Sequence, residues 1–284
     1  MSDRDMRKKI QLIGQIDQVM LPVDFALFAE RFFKEICEFD ERFSRLVYAE
    51  WLDDENYCFK DFIPTKEFIL EYILSDFDCD PLKDSQIYPN RYKNLSDDNK
   101  ITVKTLRNGG WGIPILYQSD NKKGMLEAHE GGIGIQFGGF GGFDKNETGS
   151  IDLELPLGDE NAFNEYDNIL SLFKFFINFL DFPIKGSVYS FEAWDAYQQP
   201  KWVENSLGSF EHKSDYSDKF NIGWLTYINA SFLSNNTLPD DIDFEELPCG
   251  GIIIHTTRGK LNANSSMFIE QAQRIHNVLE AMVS

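Results

Sequence analysis

The side chains equipped for chemistry in this chain are acids, glycine-framed loops and a few histidines. Asp152 and Glu154 lie two apart in Ile151-Asp-Leu-Glu-Leu155, an alternation that puts both carboxylates on one face of a strand. Paired carboxylates can hold a metal or split acid and base roles, but on a half-buried strand that face is ordinarily the one turned to water. Glu127, His129 and Glu130 gather a conceivable general base beside glycine-rich sequence. Gly132-Ile-Gly-Ile-Gln-Phe-Gly138 loosely follows the dinucleotide fingerprint, which needs a helix N-terminus directly after it. The Gly139-Phe-Gly-Gly-Phe143 that follows does not start a helix, so a glycine-rich strand and turn is expected. His129, His212, His255 and His276 stand more than four residues from one another, and Cys37, Cys58, Cys79 and Cys249 never take the CxxC spacing. No P-loop, GxSxG or HExxH pattern occurs. The expectation is therefore no catalytic residue, no metal and no cofactor, in a chain that is not an enzyme.

What remains is charge. The 284 residues carry 47 acids against 27 Lys and Arg, a net of -20, together with 25 Phe. Acidic disordered chains lack the aromatic surface that repays ordering, so this one is expected to fold with a strongly negative surface. Such a surface disfavours direct contact with nucleic acid or anionic membranes and attracts basic partners. From Asp144 to Glu246 there are 20 acids, 6 Lys and no Arg. The sharpest cluster is Asp240, Asp241, Asp243, Glu245 and Glu246, interleaved with Ile242 and Phe244. It lacks the glycine and terminal glutamate of a calcium loop and reads as a solvated loop or a docking loop with apolar anchors. Asp215 and Asp218, near Tyr216, extend the same candidate surface, and Trp194 and Trp202 bracket a loop-like stretch where exposed aromatics would serve as anchors.

The elements that must position these residues follow from periodicity. Phe25, Ala29, Phe32 and Ile36 form one helix face after Pro22, and Thr65 caps a second helix with Phe68, Ile69, Tyr72 and Ile73 on its buried stripe. Residues 76–100 read as a long surface loop. Strands are expected at 45–51, 101–106 and 113–118, the last turning back from Met125 in a hairpin. Ile151, Leu153 and Leu155 mark a half-buried strand, and a helix of residues 164–180 is ended by Pro183. Further strands are expected at 185–192, 222–229 and 251–257, where Ile252-Ile-Ile254 implies burial on both faces. Phe268, Ala272, Ile275, Leu279 and Met282 make a closing helix. Without regular βαβ alternation this is an α+β fold, an antiparallel or mixed sheet with helices mainly on one face. Its parts are 1–143, helical with a glycine-rich hairpin, and 144–284, acidic α+β, as two sub-domains or one continuous domain. The charged first nine residues open no secretory signal, and free thiols suit a reducing compartment, so a cytoplasmic location is expected.

Trp111 within Gly-Gly-Trp-Gly, Trp224 within Ile-Gly-Trp-Leu, the Gly250-Gly-Ile-Ile-Ile254 strand and the closing amphipathic helix resemble the immunity proteins of bacterial polymorphic toxin systems. Among these the chain is most similar, over residues 100–284, to the immunity family numbered fifty-two. That resemblance implies a protein that binds and neutralises a secreted toxin, such as a restriction-endonuclease-like nuclease delivered by type VI secretion or a related system. It brings no catalytic residues. The rival readings are a hydrolase whose glycine-rich strands line a cleft near Glu127, His129 and Glu130, and an acidic mimic of DNA.

Overall fold

The structure, a computed structural model, describes residues 9–16, 20, 22–51, 57–75, 111–119, 125, 132–140, 149–156, 163, 165–181, 185–190, 222–233, 237–261 and 265–283. The expected loop at 76–100, the strand at 101–106 and the return of the hairpin after Met125 lie outside them. Among the described residues, ten strands and five α-helices make an α+β fold whose paired strands run antiparallel. The chain divides into two compact units that interleave along the sequence.

One unit spans Asp17–Leu126 and Ile135–Ile151. It holds α1 (Pro22–Ile36), a 3-10 turn (Glu41–Ser44), β2 (Leu46–Trp51), β3 (Tyr57–Asp61), α2 (Lys66–Ser75), β4 (Trp111–Gln118) and most of β5 (Gly134–Phe140), with strand order β3-β2-β4-β5. Phe25, Ala29, Phe32 and Ile36 are fully buried, as the periodicity requires, and Ala26 and Phe33 widen the stripe. Phe25, Phe32 and Phe33 close around Phe137 of β5, two of the three edge-on at 5.4–6.0 Å, the arrangement ring quadrupoles favour. The start of α2 is capped twice: Thr65 Oγ1 accepts the Phe68 N–H at 3.3 Å, and Glu30 of α1 accepts the Lys66 N–H at 3.0 Å. Ile69 and Ile73 are buried, whereas Phe68 and Tyr72 are half-buried and stacked on each other.

The other unit spans Met1–Ile16, Glu127–Gly134 and Asp152–Ser284. It contains β1 (Lys9–Ile16), most of β6 (Gly149–Pro156), α3 (Tyr166–Phe179), β7 (Lys185–Ser190), β8 (Leu225–Ile228), the short α4 (Ala230–Leu233), β9 (Phe244–Glu246), β10 (Ile252–His255) and α5 (Ser266–Val283). Its strand order is β6-β1-β7-β8-β10-β9. The helices divide between the two sheet faces rather than gathering on one. A side chain at Gly14 would collide with Phe176 and Leu180, and one at Gly186 would stand 2.8 Å from Ile177, so α3 lies on the Gly14–Gly186 face. Ile228, Ile252 and Ile254 point the opposite way by the pairing register and pack with Ala272, Ile275 and Leu279 of α5. The cause is in β10 itself: three consecutive isoleucines leave no face that water can cover. Helix α3 ends where Asp181 takes a left-handed φ of 45°, ahead of Pro183, which lies outside the described residues. Among the described residues, no helix is long and apolar enough to cross a membrane.

Candidate functional site

The acidic run expected to be a loop is partly a strand. Phe244, Glu245 and Glu246 pair with Ile254, Ile253 and Ile252, which makes β9 the outer strand of a hairpin with β10. The turn between them closes by Gly250 N–H to Leu247 O at 2.9 Å and Leu247 N–H to Gly251 O at 2.8 Å. Gly250 takes a φ of 82°, a conformation that only glycine adopts without strain.

Arginines fasten the approach to this strand. Arg274 of α5 donates from Nε and Nη2 to the Asp241 carboxylate at 3.0 and 3.2 Å, and Arg258 grips Asp243 in the same two-pronged way at 2.6 and 2.8 Å. The Arg258 hydrogen bonds hold the Asp243 carboxyl below its usual range. Both pairs are about half exposed, so each contributes only about 0.2–1 kcal/mol; their effect is to fix geometry. Ile242, between the two aspartates, is buried in the unit's own core beside Leu238. It anchors the run to the fold and is withdrawn from any partner. Asp240 and Glu246 are exposed, as is Phe244 at 38%.

Beneath β9 lies a polar cluster that the sequence did not reveal. The Tyr166 hydroxyl meets His255 Nδ1 at 2.6 Å, and Lys174 donates to Glu245 Oε2 at 2.7 Å. With Tyr166 donating to Nδ1, the ring proton resides on Nε2 and faces Glu245 Oε1 at 3.8 Å. Among the described residues, those two buried atoms have no hydrogen-bond partner. Burial, helped by the Arg258 cation, pulls the His255 pKa down, and burial pushes Tyr166 up to about 12. Trp224 completes the cluster, its ring 6.1 Å from Tyr166 and its indole N–H donating to Thr257 O at 3.1 Å. The His255 side chain is wholly shut off from solvent, whereas Tyr166, Lys174 and Glu245 are partly exposed. Its members come from α3, β9, β10 and the residue before β8, and no local spacing could have joined them.

Asp152 and Glu154 share a face of β6, but that face is not simply wet. Asp152 Oδ1 is closed off from solvent without a hydrogen-bond partner among the described residues, and burial together with Glu154 pushes its carboxyl up to about 7. Gly134 lies against Glu154; a Cβ there would stand 3.2 Å from that of Glu154. The glycine-rich run is thus a strand, β5, close to a carboxylate, with no phosphate-binding helix after it among the described residues. Trp194, Trp202, Asp215 and Asp218, and likewise Glu127, His129 and Glu130, lie outside the described residues. Among the described residues, no group of three or more His, Cys, Asp or Glu could hold a metal ion.

No family model and no curated protein matches the chain. Among solved structures, a Pseudomonas aeruginosa T6SS protein is similar with a TM-score of 0.47 at 12% identity, over 94% of this chain and 72% of that one.

Proposed function

We propose that this chain is an immunity protein that binds and neutralises a basic protein toxin, a nuclease of an interbacterial secretion system, and that it is not itself an enzyme. The observation that carries the reading is the fastened acidic segment of residues 240–246. Asp241 and Asp243 are held by arginines of the chain itself, while Asp240, Phe244 and Glu246 stand outward. An exposed aromatic between carboxylates, on a chain of net charge -20, suits a cationic protein surface. A nuclease carries such a surface because it must hold phosphates, and the charge difference would steer the two together quickly. The resemblance to toxin immunity proteins points the same way.

The test is capture of tagged protein's partner from host lysate at low salt, release along a salt gradient, and assay of the released protein. A basic partner whose nuclease activity disappears on adding an equimolar amount of this chain supports the reading. A partner whose activity persists in the complex sinks it.

A second reading, a hydrolase with a glycine-rich cleft, draws on Asp152, a carboxyl raised to about 7 two residues from Glu154, which lies against Gly134. Hydrolysis of peptide or glycan substrates that is lost in Asp152→Asn, with the fold intact by circular dichroism, would favour it.

A further inference from the structure

The backbone of β9 is divided by parity. His255 N–H donates to Asp243 O at 2.9 Å and Leu247 N–H to Gly251 O at 2.8 Å. With the register Glu245↔Ile253 between them, residues 243, 245 and 247 turn their peptide groups toward β10. Phe244 and Glu246 therefore turn theirs outward. Among the described residues β9 is the last strand of its row, so those N–H and C=O groups have no strand beyond them. The Phe244 and Glu246 side chains share a face with Ile254 and Ile252.

We propose that this edge receives an extended, basic segment of the partner protein as an added β-strand. The inference rests on the basic-partner reading and specifies its mode of contact. The added strand takes its hydrogen bonds from Phe244 and Glu246, lays an apolar side chain or aliphatic stem against the Phe244 ring, and sets a lysine or arginine two residues away against Glu246. Asp240 adds a second exposed carboxylate just before the strand. The edge is pre-ordered, because Arg274, Arg258 and Lys174 grip Asp241, Asp243 and Glu245; little ordering entropy is lost on docking. Open edges invite pairing with like chains, and charge is one natural guard against it. Here the guard is acidic on a chain of net -20, so a second copy is repelled and a cationic strand is attracted.

The probe is an end-blocked peptide of alternating lysine and valine, compared at low salt with a counterpart bearing the same side chains and an N-methyl group on every amide. The expected result is slowed hydrogen exchange at the Phe244 and Glu246 amides with the first peptide, and binding at least about tenfold weaker for the second. Glu246→Gln should weaken both peptides alike, because it removes charge and leaves the backbone. Equal binding by the two peptides overturns the added strand and leaves the basic-partner reading standing. Binding by neither overturns both readings of this surface. Protection of the same amides without peptide, in a sample that sediments as a dimer, assigns the edge to a second copy and overturns the proposal.

Discussion

Asp152 is a carboxyl that its strand does not hydrate, and the cost should be measurable. Its pKa is about 7 in the fold against 3.8 for the free group, so between those values the folded chain holds a proton that the unfolded chain has released. Stability from this group is therefore greatest in acid and falls as pH rises from about 4 to 7. Asp152→Asn should be more stable than the parent at pH 8 by roughly 1–4 kcal/mol, with the gain vanishing toward pH 4. Urea unfolding at the two pH values checks this; an equal difference at both would refute it. His255 works in the opposite sense. Its folded pKa is depressed, so the unfolded chain takes the proton first and stability is lost as pH falls through about 6.5. The sequence was legible enough at this scale to pair Asp152 with Glu154 and to find the acids of 240–246. It could not show which cations meet them, because Arg258, Arg274 and Lys174 arrive from other elements.

Elements show the same divide between local and distant causes. The amphipathic helices α1, α2, α3 and α5 and the strands β6, β8 and β10 were readable because one face of each, or both, is apolar at a fixed period. Strand β1 was not, since it is covered on both faces and pairs Ile10–Gln15 with β7, far along the chain. Nor was β9, three residues whose strand character comes from β10 alone. Close backbone approach is equally non-local. A Cβ on Gly223 would collide with the Val188 carbonyl oxygen and stand 2.6 Å from Ser187 Oγ, at the point where Trp224 N–H bonds Val188 O at 2.6 Å. Gly223→Ala should cost about 1–3 kcal/mol, since backbone and not a side-chain tip must move. At Gly259 the nearest atom would be Thr257 Oγ1 at 3.6 Å, so Gly259→Ala should change stability by less than about 0.5 kcal/mol. Denaturant midpoints of the two variants, compared with the parent, check this; equal shifts would refute the contrast.

At the scale of the molecule, under the proposed function, charge would set how a partner arrives and the hairpin how it stays. Neutralising Asp240 and Glu246 together should slow association with the captured partner several-fold at low salt, with little change in dissociation, and the difference should shrink as salt screens the field. Stopped-flow mixing across a salt series reads both rates; a change confined to dissociation would move the steering role elsewhere. Asp241 and Asp243 are poorer positions for that experiment, because removing them strands Arg274 and Arg258 and loosens the segment as well as its charge. The same arrangement bears on how such a protein could change allegiance. Residues 241, 243 and 245 are committed to holding the segment in place, and 240, 244 and 246 are not. Mixed within one seven-residue segment, the two sets let mutation redraw the outward set while the inward set keeps the hairpin closed. Under the proposed function, a lineage could thus trade one adversary for another through three substitutions, each tolerated by the fold before it is useful.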